Sequence, residues 1–130
     1  MEKTKIYYSK NSYDNIINKI RQNKSYNIKE KEQLILIMKE LKNINYLLYS
    51  IEILKENDIS TEVDNFSKYR AYLIEEIYHE IYRQLLEKYR DYEEVCYSDI
   101  RKYFNGMTFN IRIINNIDSL FKDNNIKIKY

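Results

Sequence analysis

Residues 61–95, TEVDNFSKYRAYLIEEIYHEIYRQLLEKYRDYEEV, decide the fold class. The stretch holds no proline and no glycine, so nothing in it interrupts a helical backbone. Ser60 or Thr61 offers a cap, and Glu62 and Asp64 place negative charge in the first turn, where the helix dipole favours it. Phe66, Leu73, Ile77, Ile81 and Leu85 recur at helical spacing, and Ile74, Tyr78, Tyr82 and Tyr89 widen that apolar face. Glu76, Arg83, Glu87 and Arg90 fall opposite. No run alternates with period two, so the spacing predicts one long amphipathic helix and no strand over 61–95.

Upstream, Asn27 with Glu30 three residues on has the form of a capping box. It predicts a second long helix from about 28 to 56. Leu34, Ile37, Met38, Leu41, Ile44, Leu48 and Ile51 form one stripe, and Ile35, Tyr46, Tyr49 and Ile53 a second. Residues 57–60 leave a link short enough to force the two long helices antiparallel. Tyr13, Ile16, Ile17 and Ile20 predict a short helix over about 12–23, preceded by a β-prone segment, residues 3–8. The last third reads as a helix from Ser98 to Asn105, a turn at Gly106, a helix over about 109–122, and a terminal strand in which Ile126, Ile128 and Tyr130 alternate with Lys127 and Lys129. Ile100, Tyr103, Phe104, Ile113, Ile114, Ile117, Leu120 and Phe121 are its expected core. The predicted fold is all-α: a short N-terminal helix (within 1–24), a long antiparallel hairpin (within 25–97), and a helix-turn-helix-like pair ending in a short strand (within 98–130), in a single domain.

Composition narrows the function. With one glycine, neither a dinucleotide fingerprint nor a phosphate loop can form. One histidine, His79, cannot make a two-histidine metal site, and one cysteine, Cys96, cannot make an internal disulfide. Cys96 is expected as a partly buried, inert thiol. Neighbouring acids such as Glu75 with Glu76 and Glu93 with Glu94 point apart on a helix, so they make no general-acid pair. The expectation is a non-enzymatic protein with no catalytic residues, no metal and no cofactor. No apolar run suits a signal peptide or a membrane span, so a cytoplasmic location without membrane contact is expected.

Fifteen tyrosines and an abundance of Ile, Asn and Lys match AT-rich codons, pointing to a low-GC bacterium, its phage or another virus. The net charge of +2 is uneven: +4 over residues 1–27, −1 over 28–60, −4 over 61–97 and +3 over 98–130. Seven tyrosines lie between 61 and 97, and tyrosine offers wide contact area at low entropic cost. Tyr69, Tyr72, Glu76, His79, Glu80 and Arg83 are placed on the exposed side of the central helix as a partner-binding face. The resulting expectation is a phage, viral or mobile-element protein that binds and inhibits a host protein. A nucleic-acid-handling defence complex is the concrete target, in the manner of an anti-CRISPR. The second apolar stripe of 28–56 adds an expected homodimer.

The order helix, glycine turn, helix, short strand over 98–130 also resembles the helix-turn-helix and first wing strand of winged-helix DNA-binding proteins. That resemblance implies a transcriptional regulator, with 109–122 as the reading helix. Asn110, Arg112, Asn115 and Asn116 would then face bases, and Lys127 and Lys129 would touch phosphate. A third alternative is a structural protein that self-associates through the hairpin.

Overall fold

A computed structural model describes residues 10–42, 47–56, 66–104 and 111–130. Among these residues the chain forms helices α1 (Lys10–Gln22), α2 (Ile28–Lys42), α3 (Leu47–Glu56), α4 (Phe66–Tyr89), α5 (Tyr97–Arg101) and α6 (Ile111–Asp123), with strands β1 (Glu94–Cys96) and β2 (Lys127–Lys129). The fold is mostly all-α, as the helical spacing predicts, with one small parallel sheet. The described residues group into two compact units, one up to Tyr78 and one from His79.

In the first unit, α1 packs on α2, and Ile16, Ile20, Leu34, Ile37, Met38 and Leu41 are fully buried. Asn27 starts α2 as its sequence requires: its side chain accepts the Glu30 amide at 2.8 Å, and the Glu30 carboxylate accepts the Asn27 amide at 2.9 Å. Lys31 Nζ donates to the Arg21 carbonyl at 2.8 Å and so satisfies the end of α1. The helix starts at Lys10, two residues before its expected start, so Ser12 lies inside α1 and is buried.

The expected hairpin takes another form. Residues 28–56 contribute two helices, α2 and α3, each with its own buried face: Leu34, Ile37, Met38 and Leu41 on one, Leu47, Ile51 and Leu54 on the other. Neither predicted stripe survives as drawn: Ile51 of the first is buried on α3 beside Leu47 and Leu54, which belong to neither stripe, whereas Tyr49 of the second is exposed and Ile35 and Ile53 are half-buried. The register differs too. In a straight hairpin closed at 57–60, Glu30 would lie far from the start of the partner helix. Instead Lys68 on α4 is ion-paired to Glu30, and the Tyr69 hydroxyl donates to Gln33 Oε1 at 2.6 Å. The beginning of α2 therefore lies against the beginning of α4. The expected caps at 60–62, the link at 57–60, and the strand at 3–8 lie outside the described residues.

In the second unit, α4 ends at Tyr89, six residues before the predicted helix end at 95. A turn follows, closed by the Tyr92 amide on the Tyr89 carbonyl at 3.0 Å. Glu94–Cys96 is then a strand, correcting the expectation of none. A three-residue strand is too short for a period-two signal, yet it alternates as strands do, with Val95 inward and Glu94 and Cys96 outward. β1 pairs in parallel with β2, in the register Glu94 to Lys127, Val95 to Ile128 and Cys96 to Lys129. The crossover through α5 and α6 supplies the length that a parallel pair demands. Cys96, not Ser98, occupies the cap position of α5, and its thiol is exposed, not partly buried. Val95, Ile100, Ile113, Ile117, Phe121, Ile126 and Ile128 are buried in this unit. Gly106 lies outside the described residues.

The end of α6 is a Schellman motif. The Ile126 amide donates to Phe121 at 2.8 Å and the Asn125 amide to Lys122 at 3.1 Å, with Asn125 at φ 62°. Buried Ile126 and buried Phe121 supply the hydrophobic contact that accompanies such a cap, and the motif aims the chain into β2.

Candidate functional site

The partner-binding face expected on α4 is dispersed. In the first unit Tyr69 is 3% exposed, with its hydroxyl on Gln33 and its ring 5.9 Å from that of Tyr26. Tyr72 is half-buried and edge-on to Tyr26 at 5.4 Å, and burial pushes its phenol above the usual tyrosine value. Glu76 is buried, with Oε2 at 3.4 Å from Lys19 Nζ. In the second unit His79 is exposed, Glu80 is 2% exposed, and Arg83 is exposed. The burial of Tyr69, Glu76 and Glu80 corrects the expected exposure of this side of the helix. A wheel drawn over the whole of 61–95 assumes one buried arc. Tyr69, Leu73, Ile77 and Glu80 mark one arc at about 100° per residue, whereas Tyr78, Tyr82, Leu85 and Tyr89 mark another.

Buried Glu80 has a consequence at the surface. Its Oε1 accepts from Arg83 Nε at 3.2 Å and Nη2 at 2.7 Å. The guanidinium is therefore held in one orientation while remaining about half exposed, at 48%. An arginine fixed in this way loses little side-chain entropy on meeting a partner. His79 stands one turn away, its ring 6.5 Å from that of Tyr82.

The residues implied by the winged-helix resemblance fall on one surface. Arg112, Asn115 and Asn116 are exposed on α6, opposite buried Ile113, Ile114, Ile117 and Phe121. Lys127 and Lys129 are exposed on β2, and Asn110 lies outside the described residues. The pairing of β2 differs from the antiparallel hairpin of a wing: its described partner is β1, the strand that precedes α5, in parallel.

Sequence reasoning passed over the aromatics that flank this sheet. Tyr92 precedes β1 and is 55% exposed; its ring meets Tyr89 edge-on at 5.3 Å. Tyr130 follows β2 and is 76% exposed; its ring lies 5.3 Å from Tyr97, and its hydroxyl hydrogen-bonds the Asp118 carboxylate. Beneath Tyr92, the Tyr89 ring is buried between Tyr103 at 6.4 Å and Phe121 at 6.2 Å, and its hydroxyl lies 3.2 Å from that of Tyr103. β1, which places Tyr92, was itself invisible in the helical pattern, so no signal marked that ring. The terminal alternation of 126–130 was the one pointer to Tyr130.

Among the described residues, no group of three or more His, Cys, Asp or Glu side chains is placed to hold a metal ion, and no helix is long and apolar enough to cross a membrane. Comparison with protein-family models, with known proteins and with solved structures finds no match to this chain.

Proposed function

We propose that this chain is a non-enzymatic protein that binds another protein, with its contact surface in the unit from His79 to Tyr130. The observation that carries the reading is the pair of exposed tyrosines, Tyr92 and Tyr130, each braced by a second tyrosine ring at an end of the β1–β2 sheet. Exposed aromatics are among the side chains in which interface energy concentrates. Arg83, pinned by Glu80 beside His79, supplies a charged contact in the same unit. The AT-rich composition supports a narrower version: a phage, viral or mobile-element product acting in the cytoplasm on a host protein, with a nucleic-acid-handling defence complex as the target class. A photo-crosslinking amino acid at position 92 or 130, expressed in low-GC bacterial cells, should yield discrete protein adducts. Adducts to nucleic acid alone would remove the reading.

A second reading keeps a specific observation of its own. The exposed set Arg112, Asn115, Asn116, Lys127 and Lys129 offers the donors of a DNA reader. The single basic residue among the described exposed α6 positions expected to face bases weighs against it, since affinity for duplex DNA comes mainly from neutralised phosphates. Pairing with a second copy is a further proposal, motivated by exposed Leu36 and Tyr49 in the first unit.

A further inference from the structure

We propose that the open cavity between the last turn of α6 and β2 binds a phosphate-class oxyanion, independently of the protein-binding reading. The cavity measures about 290 Å³ and is lined by Asp118, Lys122, Asn125, Ile126, Lys127 and Ile128. Ile126 and Ile128 are buried and form an apolar floor, while Lys122 and Lys127 are exposed at the rim. Neither ammonium has an ion-pair partner among the described residues. Lys122 comes from a helix and Lys127 from a strand, and the intervening turn is fixed by the Schellman bonds, so the backbone positions that carry the two charges are set on one opening.

Two features oppose an anion here, and the structure weakens the first. The C-terminal end of a helix is its negative end. At α6 the carbonyls of Leu120, Phe121 and Lys122 already accept hydrogen bonds from residues 124–126, including Asn124 Nδ2 on Leu120 at 2.8 Å. Asp118 is the one carboxylate in the lining, and the Tyr130 hydroxyl donates to it. Against that one negative charge stand two ammonium groups and the Asn125 side chain, a set of donors with a net positive balance suited to several oxygens of one oxyanion. A water fills about 30 Å³, so the cavity has room for a phosphate group with part of its hydration shell.

Backbone amide shifts of the full chain, followed during titration with inorganic phosphate at constant ionic strength set by chloride, test the proposal. Saturable shifts confined to residues 118–128 are expected. The double variant Lys122→Ala with Lys127→Ala, whose exposed side chains leave the fold intact, should bind about tenfold more weakly. A short single-stranded oligonucleotide without terminal phosphates separates the two sources of this chemistry. Saturation of the same amides at lower concentration, steeply weakened by salt, assigns the cavity to a nucleic-acid backbone. An oligonucleotide that leaves them unmoved, beside saturable inorganic phosphate, assigns it to free phosphate or a small phosphorylated molecule. Linear, unsaturating shifts in the wild type, or saturation unchanged in the double variant, would overturn the proposal.

Discussion

At the scale of single residues, polar atoms in apolar surroundings explain where stability resides. Tyr69→Phe removes the hydroxyl bonded to Gln33 and keeps the ring against Tyr26, so a loss of about 0.5–1.5 kcal/mol is expected in urea unfolding. Burial first, and then the hydrogen bond with Tyr103, raise the Tyr89 phenol above the ordinary value of 10. Folded Tyr89 therefore holds its proton more tightly than unfolded Tyr89. Its stabilisation is full below about pH 10 and is lost as pH rises from there toward the folded value. Urea midpoints measured into the alkaline range should fall less steeply in Tyr89→Phe than in the wild type. Glu30 works with the opposite sign. The Lys68 hydrogen bond, and then the Asn27 amide, hold its carboxyl below the usual range. Its contribution is present above about pH 4.5 and fades as pH falls through the lower folded value, a dependence that Glu30→Gln should flatten.

Elements were legible where their signals are local. The Asn27–Glu30 box predicted the start of α2, and the structure forms both of its hydrogen bonds. Asn27→Ala should cost about 1 kcal/mol. The α6 core positions Ile113, Ile114, Ile117 and Phe121 followed from helical spacing alone and are buried. What the pattern missed depends on distant partners. Glu94–Cys96 becomes a strand because β2, some thirty residues on, pairs with it, and no periodicity within 61–95 reports that partner. Burial of Tyr69, Glu76 and Glu80 is equally non-local, since it depends on what packs beside them. A turn over residues 123–125 is legible in the sequence, but its Schellman form is not, because an asparagine in the left-handed region looks in sequence like any loop asparagine. Asn125→Gly should preserve or raise the melting temperature, whereas Asn125→Val should lower it, by roughly 1–2 kcal/mol in stability, because a β-branched residue is strained at positive φ.

For the molecule as a whole, the candidate site was less legible than the helices. Tyr92 and Tyr130 come to flank one sheet, at its two ends, only once the parallel pairing exists, so the residues expected to bind were sought on the long helix. Core burial makes Leu41→Asp and Ile117→Asp severe: both positions are 0% exposed, and an unpaired buried charge costs several kcal/mol. Loss of cooperative thermal unfolding is expected in each. Glu80→Lys belongs to the same group, because it reverses a charge at a buried site, and cannot serve as a binding variant. The direct measurement is quantitative affinity capture from low-GC bacterial cells, comparing the tagged wild type with the double variant Tyr92→Ala and Tyr130→Ala after circular dichroism shows both folded. The account predicts a protein retained stoichiometrically by the wild type and reduced at least tenfold in the variant, since loss of two braced aromatic anchors removes more than about 1.4 kcal/mol. The same proteins retained equally by both forms, or a nanomolar, sequence-selective duplex DNA complex formed by both at physiological salt, would contradict it.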